Sequence, residues 1–295
     1  MAVDVGRTGI WCMSRIWPSD PGQAGEAAAE LEEAGFGALW LGVSDAALEL
    51  PQTLLAATSS LAVATGIVSV WDAPPAELAA ACHRVADAFP GRFLLGLGAS
   101  HAHAVQRTGQ EYTRPYSKVA GFLDGLDAAT PPVPAEGRAV AALGPRMLAL
   151  AGQRSAGAHP YLTTPEHTRQ AREILGPGPL LAPEQKVVLE TDPARARQTA
   201  RAALDMYLKA PNYVANLRRL GFAEEDISQG SDHLIDALVA WGGPDVIRDR
   251  VTAHHQAGAD HVCVQVLTAG LGGQVIAGSP GLPRDQWREL AQLLA

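Results

Sequence analysis

Charge is the first scarcity. Asp, Glu, Lys and Arg make up 18% of the 295 residues against 47% hydrophobic types, which fits a globular enzyme and excludes a disordered chain. Basic residues are outnumbered 23 to 31, for a net charge of −8. They are scattered along the chain, whereas non-specific nucleic-acid binding needs clustered Lys and Arg. Cysteine is rarer still. Cys12, Cys82 and Cys263 are odd in number, far apart and never in a CxxC pair, so neither a zinc site nor a disulfide framework is expected, and a reducing cytoplasm fits best. No apolar run approaches the roughly 18 residues of a membrane span. Met1–Ser14 carries an early Asp4 and no long apolar stretch, so no signal peptide is expected. Metal-ligand spacing is also missing. His101-x-His103 has no nearby carboxylate pair, and the rings of adjacent His254 and His255 would point about 100° apart on a helix.

What is present is alternation. Eight short apolar runs, Thr8–Met13, Ala38–Val43, Ala62–Val70, Phe93–Leu97, Ala139–Leu143, His159–Leu162, Lys186–Leu189 and His261–Leu267, alternate with Ala/Leu-rich amphipathic segments. The runs are rich in Val, Leu and Ile without strict period-2 alternation, as parallel strands covered on both faces are. Start signals mark the helices. Pro74 and Pro75 precede Ala76–Ala88, Thr164-Pro165-Glu166 opens a helix to about Leu175, and Asp192-Pro193 opens Ala194–Leu208. Gly35 and Gly258 suit left-handed caps after Gly25–Ala34 and Pro244–Ala257. Thr130–Pro134 and Gly176–Pro183 read as loops. Two longer stretches interrupt the pattern. His101–Lys118 follows strand four, and Tyr207–Gly243 follows strand seven with two predicted helices, about Asn212–Leu220 and Ser231–Trp241. Insertions of that length on a compact scaffold cover or complete a site. The expected fold is a single-domain α/β (β/α)8 TIM barrel spanning 1–295.

The motifs FGALWLGVSD (Phe36–Asp45), ATGIVSVWD (Ala64–Asp72), GRFLLGLGASH (Gly91–His101), AALGPRMLALAG (Ala141–Gly152) and GADHVCVQV (Gly258–Val266) resemble the luciferase-like monooxygenase superfamily. The branch they are most similar to is its actinobacterial oxidoreductases that use the deazaflavin coenzyme F420. The resemblance spans nearly the whole chain and implies a cofactor across the C-terminal ends of the strands, where barrel enzymes keep their chemistry. It also implies a cis peptide at Gly66–Ile67 against the cofactor ring, and a cofactor phosphate at Ala142, Leu143 and Gly144. The physics of that last site is independent of resemblance: free N–H groups and a positive dipole at a helix start attract an anion. Pro145 has no N–H, so Gly144, Arg146 and Met147 would be donors.

Gly98 and Ala99, after Gly96, let a planar ring approach the backbone. The run lacks the third glycine of a dinucleotide fingerprint. Just beyond it, His101 and Ser100 are candidate proton donors, His101 because imidazole titrates near neutrality; a plain loop histidine is the competing reading. Asp45 either polarises a neighbour or caps the next segment as an Asx turn. Relatives that oxidise alcohols carry Ser-Asp-His where this chain has Ser44-Asp45-Ala46. Some sugar-phosphate-oxidising relatives carry a glutamate where it has His101. The second departure argues against the chemistry of those relatives, and the first favours reduction of an activated C=C or C=N bond over alcohol oxidation. Tyr161, Thr163 and Thr164 are candidates for the cofactor tail, with Thr164 also a helix cap. Trp40 is expected in the core, Trp11 and Trp71 at the pocket. Basic Arg107, Arg114 and Lys118 are candidates for the acidic tail of a deazaflavin. The expectation is thus a cytoplasmic, homodimeric F420-dependent oxidoreductase for a small or medium organic substrate, with no nucleic-acid, membrane or metal partner. The alternatives are an FMN-dependent monooxygenase and a catalytically silent cofactor-binding barrel.

Overall fold

A computed structural model describes residues 2–269 and 281–294. Its strands are β1 (Thr8–Met13), β2 (Ala38–Gly42), β3 (Ala62–Thr65), β4 (Val68–Ser69), β5 (Phe93–Gly98), β6 (Arg138–Val140), β7 (Gly157–Ala158), β8 (Leu180–Leu181), β9 (Glu184–Val188), β10 (Val239–Trp241) and β11 (Val262–Val266). Every pairing among them is parallel, with β1 hydrogen-bonded to both β2 and β11. The ring closes through β11 to β9 and through β8 to β7. Only Ala182 and Pro183 separate β8 from β9, and the ladder runs on across them: Ala182 N donates to Ala158 O and Glu184 N to Pro160 O, both at 2.9 Å. β8 and β9 are therefore one barrel stave, as are β3 and β4. β10 is an extra strand on the free upper edge of β9.

The barrel interior follows from period-2 alternation. Trp11, Ala38, Trp40, Ala62, Ala64, Leu94, Ala139 and Cys263 form one inward cluster. Their neighbours Ile10, Leu39, Leu41, Val63, Leu95, Val140, Val262 and Val264 face the helices in the main core. Many inward positions are alanine, which leaves room for Trp40. Its indole stacks on His159 with centroids 4.2 Å apart and an interplanar angle of 16°, and donates to His261 Nε2 at 3.0 Å. His261 in turn donates from Nδ1 to Gly6 O at 2.9 Å. Lys186 Nζ sits 3.0 Å from both oxygens of Glu184. These side chains plug the barrel below its C-terminal rim.

Helix starts obey the sequence signals closely. Thr164 accepts from His167 N to open Pro165–Leu175, and Asp192 accepts from Arg195 N to open Pro193–Leu204. Gly35 and Gly258 have left-handed φ, 88° and 104°. Four segments depart from expectation. Leu180–Leu181 lies inside the expected loop 176–183 but is a strand, because the seventh stave begins there. The stave expected at His159–Leu162 is assigned at Gly157–Ala158. Ala194–Leu208 stops at Leu204, and Tyr207–Lys209 forms a separate 3-10 turn. In the second insertion, helices Pro211–Arg219, Glu224–Gln229 and Asp232–Leu238 precede β10, so the helix expected over Ser231–Trp241 gives way to a strand at Val239. There the β-branched Val239 and aromatic Trp241 find a free edge on β9.

Candidate functional site

The third stave is broken where the ring was expected. Val63 and Ala64 pair with Phe93 and Leu94, but Val68 and Ser69 pair with Leu97 and Gly98. The offset falls from 30 to 29, so β3–β4 carries one extra residue, a bulge of the kind that sits beside active sites. The Gly66–Ile67 peptide within it is cis. Thr65 spans the break with its hydroxyl, accepting from Gly96 N and donating to Gly96 O, each at 2.8 Å.

Above the bulge, on the C-terminal face, opens a cavity of about 460 Å³. Its floor and inner wall are Gly66, Ile67, Trp11, His159 and Tyr161; one side is Gly98, Ala99, Ser100 and His101; the other is Ala142, Leu143 and Gly144. Nearly all of the anticipated site residues are thus brought together. A Cβ on Gly66 would stand 2.7 Å from Trp11 Nε1 and 3.2 Å from His159 Nε2. Both nitrogens are buried and have no hydrogen-bond partner among the described residues. His159 uses Nδ1 to donate to Ala182 O at 2.7 Å, which leaves Nε2 as an acceptor. Burial holds the imidazole neutral, its pKa pushed down to about 4. The floor therefore offers one unused donor and one unused acceptor around a backbone without a side chain.

His101 stands where this cavity meets a second one of about 220 Å³; Trp11, Met13, Val43, Ser100, Ala104 and Tyr207 line both as well. The His101 ring lies 5.5 Å from Tyr213 and stacks at 4° on His103. Its Nδ1 is buried without a partner. Burial first, then the neighbouring His103, pushes its pKa below the ordinary value, against a hydrogen bond that the ring donates to Asn212, so the ring is neutral at pH 7. Two wall residues hold left-handed backbone, Ser100 (φ 58°) and Val43 (φ 56°). For a β-branched residue that is a costly conformation, and such residues gather at functional sites.

At the far side the helix Pro145–Arg154 starts beside the cavity with Gly144 as its N-cap. Met147 N is turned back to Gly144 O at 3.0 Å, so the donors left for an anion are the N–H groups of Gly144 and Arg146. His167 holds the preceding turn by donating from Nε2 to Leu143 O at 2.9 Å. A Cβ on Gly144 would lie 3.5 Å from Arg219 Nη2, and Arg219 lines the cavity. It reaches in from the second insertion and is steadied by Asn216 Oδ1 at 3.1 Å.

Several expectations need correction. Asp45 is not among the lining residues: it is exposed, and its Oδ1 accepts from Ala47 N and Leu48 N at 2.9 and 3.0 Å, an Asx turn. Of the expected N–H donors Met147 is spent on Gly144 O, while Arg146 keeps its N–H at the helix start with its guanidinium 4.4 Å over the Tyr116 ring; the side-chain cation beside Gly144 is Arg219. Tyr161 is a wall of the inner end, 5.0 Å from Trp11, with its hydroxyl donating to Gln265 at 2.9 Å. Trp71 stands behind the lining, donating to Ala99 O at 2.9 Å with Lys118 over its ring. Arg107 lines the second cavity. Sequence reasoning missed Asp72, whose carboxyl burial pushes above the usual carboxylate range, together with His159, Tyr207, Tyr213 and Arg219. The insertion signalled that its residues would reach the site, but not which ones.

The profile of a family described as luciferase-like monooxygenase matches residues 7–261. No curated protein is significantly similar in sequence. Among solved structures, an F420-dependent secondary alcohol dehydrogenase in complex with an F420-acetone adduct has a TM-score of 0.72 at 14% identity, covering 99% of this chain and 98% of that one. A coenzyme F420-dependent tetrahydromethanopterin reductase from Methanopyrus kandleri gives 0.72 at 16%, over 99% and 98%. An EDTA monooxygenase from Chelativorans sp. BNC1 gives 0.70 at 14%, over 99% and 93%. At these identities the likeness is one of fold.

Proposed function

Since this chain belongs to the luciferase-like monooxygenase family, we propose that it is an oxidoreductase that uses the deazaflavin coenzyme F420 on a small or medium organic substrate. The observation that carries the reading is the pair of unsatisfied buried atoms, Trp11 Nε1 and His159 Nε2, on the side-chain-free floor at Gly66. Each such atom costs about 1–3 kcal/mol when left unmade. A planar heterocycle whose edge carries both acceptors and N–H donors satisfies both at once; Gly66 and Gly98 both line the cavity, with Trp11 and His159 packed where a Gly66 side chain would stand and Ala141 and Ile67 where a Gly98 side chain would. The anion-binding helix start with Arg219 suits a cofactor phosphate. The resemblance of the strand motifs to the F420-dependent branch is what favours deazaflavin over FMN.

When bound, such a cofactor supplies two-electron chemistry; the chain's own residues orient, exclude water and handle the proton. Trp11 and His159 fix the ring edge, and Tyr207 and Tyr213 from the insertion roof the site. His101, neutral and with an unpartnered ring nitrogen at the junction of the two cavities, is the proton donor or acceptor for the substrate. Ser100 stands beside it, while Asp45 is spent on its turn. Where alcohol-oxidising relatives have a histidine, Ala46 is packed against the core and offers no base. This supports reduction of an activated C=C or C=N bond.

Fluorescence titration of the purified protein with F420 and, separately, with FMN tests the reading. Micromolar or tighter binding of F420, with FMN much weaker, is expected. Preference for FMN would make the protein a monooxygenase of the same family, and tight binding of F420 without turnover of any reducible substrate would make it a silent barrel.

A further inference from the structure

The second cavity has a composition of its own. Its body is apolar, with Ile16, Met206, Leu267 and Pro283 contributing side chains that the larger cavity does not use. Its charged lining among the described residues is of one sign: Arg15, Arg107 and Lys186, beside His103, with no Asp or Glu. Lys186 is fully buried and neutralised by Glu184, which it meets at 3.0 Å through both oxygens. Arg15 and Arg107 are different. Neither forms an ion pair with a described residue, in a chain whose other arginines are often paired, as Arg138, Arg154, Arg197, Arg201 and Arg284 are. Two unmatched guanidiniums at the rim of one apolar chamber, on a chain of net charge −8, are a local reversal of sign. Both arginines are solvent-exposed while lining this cavity.

From this the structure assigns the smaller cavity to the substrate and gives the substrate a class: an organic acid with an apolar body and one carboxylate. The apolar part lies along Met13, Ile16 and Leu267, and the carboxylate is held by the forked donors of Arg15 and Arg107, a geometry guanidinium supplies and ammonium does not. The shared wall at His101 and Trp11 puts the body of such a molecule next to the larger cavity. This assignment rests on the reading that the larger cavity takes the cofactor ring.

The test uses octanoate and octanamide as probes, equal in length and differing in charge. Each is titrated calorimetrically at low salt into wild-type protein, with and without saturating F420. Octanoate should bind about tenfold or more tightly than octanamide, the size of one charge-assisted contact. It should leave F420 affinity unchanged. In Arg15→Gln/Arg107→Gln the preference should vanish while octanamide binds as before, which also shows that the variant is folded. Equal affinities in the wild type, no binding of either probe, displacement of F420 by octanoate, or a preference that survives both substitutions would each overturn the assignment. If instead the cofactor fails to bind while the octanoate preference stands, it is the reading of the larger cavity that fails.

Discussion

At the scale of single residues, His101 and Glu184 separate chemistry from stability. His101 touches both cavities but caps no helix with its side chain, so His101→Ala should lower turnover by roughly 100-fold or more, the usual worth of a general acid. F420 affinity should move little, and a wild-type rate at saturating cofactor would reduce His101 to a loop residue. Because its pKa is pushed down, a rate that depends on the protonated ring as the acid should fall as pH rises, with its midpoint below the ordinary histidine range. Glu184 is a different case. Glu184→Gln leaves Lys186 charged inside the barrel with no countercharge, which should cost about 3–5 kcal/mol in urea unfolding. Burial drives Glu184 up and Lys186 down, towards neutrality, and their mutual attraction, with Leu162 N donating to Glu184 Oε2 at 3.1 Å, works against it. The pair was not legible in the sequence, where Glu184 falls just before the expected strand run Lys186–Leu189. Same-face spacing is necessary for their contact, but the low polarity around them becomes visible only once the barrel is closed.

At the scale of elements, the insertion helix Pro211–Arg219 brings a cation to the helix start proposed to hold an anion. Arg219→Ala should weaken FMN binding by about tenfold or more, as loss of a charge-assisted contact to phosphate does. It should leave riboflavin, which lacks the phosphate, unaffected. Equal losses for both ligands would show that Arg219 acts on the roof rather than on the phosphate. The sequence made Gly144-Pro145 recognisable because a glycine before a first-turn proline is a local signal. It could not name Arg219, because nothing local ties a residue 75 positions downstream to that turn. Strand ends blurred for a related reason. Leu180–Leu181 follows a Pro/Gly-rich stretch and looks like loop until β7 supplies its partner. Val239–Trp241 looks like the end of a helix until the open edge of β9 does the same. Caps, by contrast, were legible at Thr164 and Asp192, since each depends on bonds within three residues.

At the scale of the whole molecule, the barrel was legible because eight apolar runs separated by capped helices admit few other arrangements. Its filling was not. Four of the described histidines are buried with the pKa pushed down mainly by desolvation: His159 and His261 to about 4, His254 to about 3, and His167 below its ordinary value. An unfolded chain protonates them near 6.5, so their contribution is complete above that pH and is lost as pH falls towards 4. Stability should therefore drop between pH 6.5 and 4.5, by up to about 1.4 kcal/mol per pH unit for each histidine. Glu32, whose pKa is held down at about 2, loses its contribution only below 4.5 and so leaves this window to the histidines. A flat melting temperature across it would contradict their burial. The same filling governs ligand traffic. With Trp40, His159, His261 and the Glu184–Lys186 pair occupying the barrel beneath both cavities, nothing passes through the described part of the barrel from one end to the other. Two ligands seated side by side above a closed floor must come and go by the same face, so the order of arrival and departure in a catalytic cycle is set by seating depth rather than by relative affinity.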